Sequence, residues 1–354
     1  MSRQGNQHGG RKRKVLTALL TVLLAAGGLA YFASDGQALL AAASEISWPA
    51  TLLPVAATIA SYALMAASYE GIARAAHTPI GFPAMHRITY VSNTINYIVS
   101  TGGLSGFAVR MYFFRQNGIP LGRAVTISFA QGLLTNLTLM IFLVAGFAFL
   151  LTHESLSTTA LTSAAVALVL FASITLLLVG LFLHGTGRRR TLLRLCAMVR
   201  SVAVRVVGEE RAPRRFRLLR LAHNIDDGFA FMLANRRAMI APTLWIIADW
   251  FMTLLVLWGC FHAVGQDVAF PLVAVGFAIG ILSSLISITP AGLGIMESAV
   301  TTIFVTLGTP LEPTIIAVLL FRLSFYALPF AMSVVLFHGM FEAARQHTHL
   351  HDKE

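Results

Sequence analysis

The sequence predicts an all-α fold, a polytopic integral membrane bundle of about six full spans with two re-entrant or half-helix hairpins. Three observations predict it. The 354 residues are 56% hydrophobic and 12% charged, with a mean hydropathy of +0.75, about half the charge density of an average soluble domain. Apolar runs of about 20 residues, the length that crosses a bilayer core, recur along the chain. Lys and Arg fall on alternate connections only, as the positive-inside rule requires.

The first run, residues 15–33, follows the basic arm 1–14 with its RKRK stretch. At 19 residues it is longer than a signal-peptide core of about 7–15 and lacks a clear A-x-A site, so a retained span is expected. Further full spans are expected at 49–69, 124–151, 159–184, 238–264 and 313–339. Two apolar regions are interrupted: 88–114 by STGGLSG and 268–308 by TPAGLG. The membrane halves are then 15–184 and 238–339, separated by a basic segment at 185–237 and followed by a tail at 340–354.

Charge decides how the interrupted regions run. Arg74 and Arg87 precede the first and Arg115 and Arg123 follow it, so both its ends lie on the basic side. The second starts near Asp267 and ends near Glu312, on the opposite side, where Asp35, Glu45 and Glu154 also fall. Each region must therefore enter and return from its own face. Broken backbone at membrane depth is tolerated only inside protein or beside a watery cavity. A pair of such breaks is the pattern of inverted-repeat transporters, and an inverted repeat is expected here. Both termini and the segment 185–237, which holds 13 of the arginines, are expected to face the cytoplasm from the cell membrane. The stretches RRRTLLRLCAMVRSVAVRVV and RRFRLLRLAHNIDDGFAFML alternate basic and apolar residues at helical spacing. They read as amphipathic helices on an anionic leaflet, serving as a topology anchor or as a lipid-recruiting surface.

Other classes are disfavoured. The net charge of +11 would suggest nucleic acid in a soluble chain, but here the basic residues border apolar runs, and no nucleic-acid partner is expected. Cys196 and Cys260 are too few for a disulfide framework and have no zinc spacing. The tail histidines His347, His349 and His351 read as a frayed end, and no metal or cofactor is expected. No Walker, G-x-S-x-G or H-E-x-x-H motif is present.

Four ionisable residues fall within apolar segments: Arg110, Asp249, Glu297 and Arg322. Each would cost about 2.5–3.5 kcal/mol facing lipid, so each should face the bundle interior, a partner or water. Arg110 follows Gly102, Gly103 and Gly106, with Asn93 and Asn96 shortly before. Glycines permit close backbone approach and a guanidinium can grip a phosphate bidentately; an arginine snorkelling to headgroups is the equal alternative. Glu297 follows the helix breakers Pro290, Gly292 and Gly294. It is either a first-turn acid favoured by the helix dipole, a counter-ion to Arg110 or Arg322, or a carboxylate that exchanges a proton. Asp249 could pair with Arg322, and so could Glu297. These six side chains, Arg110, Glu297, Arg322, Asp249, Asn93 and Asn96, are the candidate substrate-binding set, and the five glycines and Pro290 are the breaks lining the cavity.

The segments SNTINYIVSTGGLSGFAVRMYFFRQNGI and ISITPAGLGIMESAV, with ADW between them and FRLSFYALPF after, resemble the lysylphosphatidylglycerol synthase transmembrane-region family, also described as flippase-like. Pro290, Gly292, Gly294 and Glu297 match its P-x-G-x-G-x-x-E segment. The first break departs from its P-x-R-x-G-E stretch: GGLSGFAVR retains Arg110 but has no adjacent acid. The resemblance implies a multi-span membrane domain, in some members fused to a cytoplasmic aminoacyl-transferase that makes the aminoacylated lipid the membrane domain is thought to flip. With only a short tail after the last span, no aminoacylation and no enzymatic activity are expected of this chain. The expected function is translocation of an anionic phospholipid or isoprenoid-linked lipid. The alternatives are a lipid-binding or support subunit of a partner lipid-biosynthetic enzyme, and a small-solute transporter.

Overall fold

The computed structural model describes residues 36–78, 80–98, 104–152, 158–209, 213–286 and 294–336. The expected first span at 15–33, the break residues Gly102, Gly103, Pro290 and Gly292, and the histidine tail lie outside the described residues.

The protein is a polytopic helical membrane protein. After the short helix α1 (Gly36–Ser44) come α2 (Leu52–Ala75), α3 (Phe82–Ile98), α4 (Leu104–Gln116), α5 (Leu121–Leu151) and α6 (Thr158–Leu183). Then follow α7 (Gly185–Val207), α8 (Arg215–Ala234), α9 (Ile240–Ala263), α10 (Phe270–Ile286), α11 (Ile295–Thr306) and α12 (Leu311–Arg322). A π turn, Leu323–Ala327, carries α12 on to Leu336. Pro329 accounts for that turn. It has no N–H to offer the Phe325 carbonyl four residues back and its ring would clash there, so the ladder skips a residue.

Four stretches are long and apolar enough to cross a membrane: Trp48–Ala75, Leu121–Phe149, Arg236–Ala263 and Leu311–Leu336. A fifth is counted if the bent pair Leu168–Gly180 and Gly185–Arg205 is taken as one span. The expectation of about six therefore becomes four or five among the described residues, because the remaining run lies outside them. The axis bends by 96° between α6 and α7, and the arginine-studded α7 turns away from the crossing direction. The first interrupted region starts earlier than its apolar run suggests. Helix α3 begins at Phe82, with Pro83 in its first turn where a missing N–H is harmless, and takes in His86 and Arg87.

Neither interrupted region can cross alone. Helices α3 and α4 have 17 and 13 residues, α10 and α11 have 17 and 12. Their rises of about 18–26 Å fall short of a core about 30 Å thick. Each pair is an antiparallel hairpin. A Cβ on Gly106 would meet Asn96, while Arg110, further along α4, meets Ser92, further back along α3. Likewise Gly276 packs on Phe304 and Gly280 on Val300.

The largest helix interface joins α2 to α9. Ser47 bonds Ala263, Pro54 lies against Gly259, Ser61 bonds Asp249 and Gly71 lies against Pro242, so the two helices run antiparallel. Each is a span followed by a hairpin and a closing span: α2 by α3, α4 and α5, and α9 by α10, α11 and α12. The closing span of each block packs on the other block's hairpin. Gly146 of α5 abuts Pro271 and Val275 of α10, while Thr94 of α3 donates to the Pro329 carbonyl at 3.4 Å. Order, direction and exchange of contacts are those of an inverted repeat.

The basic segment is folded against the bundle. Helix α8 buries Ala222, Ile225, Phe229 and Met232. Gly122 of α5 admits Asn224, and Gly228 sits against Thr126. Arg188 of α7 reaches Asp226 at 2.6 Å. The expectation that both amphipathic helices simply lie on the leaflet thus holds less well for α8, whose apolar face is taken by protein.

Candidate functional site

The first candidate side chain is set by a close helix approach. A Cβ on Gly106 would lie 2.6 Å from both Asn96 Cβ and the Ser92 carbonyl oxygen. Only glycine lets α4 lie this close to α3. One turn later Arg110 meets the same face of α3. Its Nε donates to Ser92 Oγ at 3.3 Å, its Nη2 donates to Asn93 Oδ1 at 3.0 Å, and its guanidinium lies 4.3 Å over the Tyr69 ring of α2. Asn93 is held in turn by a contact from Nδ2 to Met65 Sδ.

Arg110 is 8% exposed and points inward, which removes the snorkelling alternative. Among the described residues no carboxylate lies within ion-pair distance of it. The missing acid of the first break has thus not been replaced from another helix. The positive charge is held by neutral acceptors and a ring face, an arrangement that favours an anionic visitor.

The second break is built differently. Gly294, with φ of 82°, sits at the N-terminus of α11, a conformation suited to glycine. Glu297 Oε2 accepts the Gly294 N–H at 2.9 Å, and its Oε1 lies 2.7 Å from Arg322 Nε. Glu297 therefore caps its helix and is the counter-ion of Arg322, not of Arg110. Arg322 is 3% exposed, with its guanidinium 4.2 Å over the Tyr326 ring.

Aromatic rings join the two breaks. Tyr97 of α3 lies 5.0 Å from Tyr326, whose ring also carries the Arg322 guanidinium. Tyr62 of α2 is 4.3 Å from Tyr90 and 6.1 Å from Phe325. Oδ1 of Asn96 is buried without a hydrogen-bond partner among the described residues. Such an orphaned group calls for water or a ligand. The structure thus groups Arg110 with Asn93 at one break and Glu297 with Arg322 at the other, with the Tyr97–Tyr326 ring contact between α3 and the end of α12.

Asp249 is set apart from both arginines. It pairs with neither Arg322 nor any other cation within 4 Å among the described residues. It accepts a hydrogen bond from Ser61 Oγ at 2.6 Å on the α2–α9 crossing. Sequence reasoning missed Ser61, Tyr69, Ser92, Tyr97 and Tyr326. Two of these were within reach, since Tyr97 follows Asn93 and Tyr326 follows Arg322 by one helical turn. Ser92 adjoins Asn93 on α3, while Ser61 and Tyr69 come from α2.

No group of three His, Cys, Asp or Glu side chains is placed to hold a metal among the described residues. The model of the lysylphosphatidylglycerol synthase TM region matches residues 16–333. The chain belongs to this family. It is 32% identical over 102 residues to a phosphatidylglycerol lysyltransferase of Staphylococcus aureus, covering 29% of this chain and 12% of the relative. It is 27% identical over 114 residues to a UPF0104 membrane protein of Methanothermobacter thermautotrophicus, covering 32% of each. The chain thus matches only a small part of the lysyltransferase, and membership places it among membrane proteins related to lipid modification.

Proposed function

We propose that this protein moves an anionic lipid headgroup across the cell membrane without chemically changing it. The observation that carries the reading is Arg110: a buried guanidinium, on a helix too short to span, whose protein partners are neutral. A lipid phosphate supplies what the site lacks, a negative charge with several acceptor oxygens. The name of the S. aureus relative adds support, since phosphatidylglycerol is an anionic lipid.

The two hairpins divide the work. Arg110, with Asn93 and Asn96 at hand, receives the phosphate at one break. Arg322 is already balanced by Glu297 at the other and becomes a second phosphate ligand when that pair opens. The Tyr97–Tyr326 contact separates the two positions, and its rearrangement passes the headgroup from one to the other. Acyl chains stay in lipid, because the hairpins are shorter than the bilayer and leave a lateral way in. With the basic connections on the cytoplasmic side, Arg110 belongs to the hairpin entered from the cytoplasm.

The test is headgroup translocation in proteoliposomes, comparing labelled phosphatidylglycerol with labelled phosphatidylcholine. Wild type should move the anionic lipid faster than empty vesicles do. Arg110→Ala should abolish that movement while folding normally by size exclusion. Equal rates for wild type and empty vesicles across anionic lipids would reject translocation and leave a lipid-binding support role for a biosynthetic enzyme.

A further inference from the structure

Asp249 stands at the centre of the span Arg236–Ala263, 4% exposed, where α9 crosses α2. Ser61 Oγ donates to its Oδ1 at 2.6 Å, and Thr253 Oγ1 lies 3.2 Å from Ser61 Oγ. Both hydroxyl residues are buried as well. Three oxygens from two antiparallel helices thus meet at mid-membrane depth, with one carboxylate and no cationic side chain within 4 Å among the described residues.

No cation touches Asp249 among the described residues; Arg110 of α4 stays on the far side of Tyr69, over whose ring its guanidinium lies at 4.3 Å. The titratable groups in electrostatic reach of Asp249 are Tyr69 of α2 and Tyr97 of α3, both neutral phenols. On α2, Glu70 is tied to Arg74. On α12, Arg322 is tied to Glu297, and Glu312 sits in the first turn at the far end. On α5, Arg123 donates to the His77 carbonyl, and α10 carries no ionisable side chain. Arg236 and Arg237 lie at the opposite end of the span from its centre, and α9 itself adds Cys260 and His262 only near its other end.

A buried carboxylate bonded to a single hydroxyl, that of Ser61, with Thr253 one step behind it, is costly in a membrane. A small hard cation from solution removes that cost, and oxygen ligands are its preferred ones. One carboxylate balances one positive charge. We propose that Asp249, with Ser61 and Thr253, binds a monovalent cation, a proton or a sodium ion, at the crossing of the two repeats. The site lies where the blocks must shift against each other in an alternating-access cycle. Its use as the driving input for transport rests on the translocase reading above; the binding does not.

The test therefore reads binding and needs no lipid movement. Purified wild type in nanodiscs is unfolded thermally, following tryptophan fluorescence, with Trp250 adjacent to the site. One arm replaces choline chloride by sodium chloride at fixed pH and ionic strength. The other varies pH from about 5 to about 9 in choline. Saturating sodium, or the pH change, should move Tm by about 5 °C. The responding arm names the ion. Asp249→Asn should remove the response while remaining monodisperse. Should that variant fail to fold, the double variant Ser61→Ala and Thr253→Ala should weaken the apparent affinity about tenfold. No response of wild type in either arm, or one unchanged in these variants, would overturn the proposal.

Discussion

Glu297→Gln isolates the charge of the buried pair at the second break. Gln keeps an acceptor for the Gly294 N–H, so the helix cap survives. Arg322 keeps its place over the Tyr326 ring. What disappears is the charge 2.7 Å from Arg322 Nε, in a pair whose side chains are 4% and 14% exposed. Breaking such a pair on one side costs about 3–5 kcal/mol, mostly for the charge left behind. The retained cap and ring contact place the expected loss near about 3 kcal/mol. At about 2 °C per kcal/mol for a large chain, Tm should fall by about 6 °C. Unfolding of a membrane protein is scan-rate dependent, so all variants are compared at one rate. The companion variants are Arg322→Gln and the double variant, in which both charges are gone and neither is orphaned. The double variant should be more stable than the sum of the single losses by about 2 kcal/mol or more. Losses that add within about 0.5 kcal/mol would refute a coupled pair and leave Glu297 as a helix cap alone.

Further outcomes follow from the packing and from the two thiols. Gly106→Ala pushes a methyl group to within 2.6 Å of the Ser92 carbonyl, which is backbone and cannot turn aside. It should cost about 1–3 kcal/mol in thermal unfolding and slow translocation by displacing Arg110 from Asn93. Gly276→Ala meets the Phe304 ring and should lose a similar amount, with Phe304→Leu in the same chain restoring most of it; no restoration would refute the α10–α11 contact. Burial pushes the Cys196 thiol above its ordinary range, and its Sγ–H lies 3.5 Å from the Leu218 carbonyl. Less thiolate is then present at neutral pH, so maleimide labelling of Cys196 should lag a free thiol and accelerate as pH rises. Cys260, fully buried in α9, should stay unlabelled until the protein unfolds.

What the sequence discloses depends on how local the cause is. The hairpins were legible because Arg74 and Arg87 before, and Arg115 and Arg123 after, bracket one region too apolar to be a loop, and Asp267 and Glu312 bracket the other. The start of α3 was not, because Pro83 rather than the onset of apolarity begins the helix. Arg110, Glu297 and Arg322 stood out as charges in apolar surroundings, and that alone implied burial. Their partners did not stand out. Choosing Arg322 over Arg110 for Glu297 requires the directions of α11 and α12. Ser61 is one small hydroxyl among several on α2, and only the register of α2 against α9 places it on Asp249.

The π turn after Arg322 also has a history to suggest. Such a turn holds one residue more than the regular helix, so everything beyond it is rotated by about 100° relative to an unbroken helix. That rotation aims the Pro329 carbonyl at Thr94 and Met332 at the Tyr90 hydroxyl. A single-residue deletion within 323–327 would swing this whole terminal stretch off α3, while leaving Arg322 on Glu297. One inserted codon is thus sufficient to re-aim half of a helix without disturbing the other half. Evolution could in this way tune how the last span seats against the opposite block while the charged pair stayed fixed.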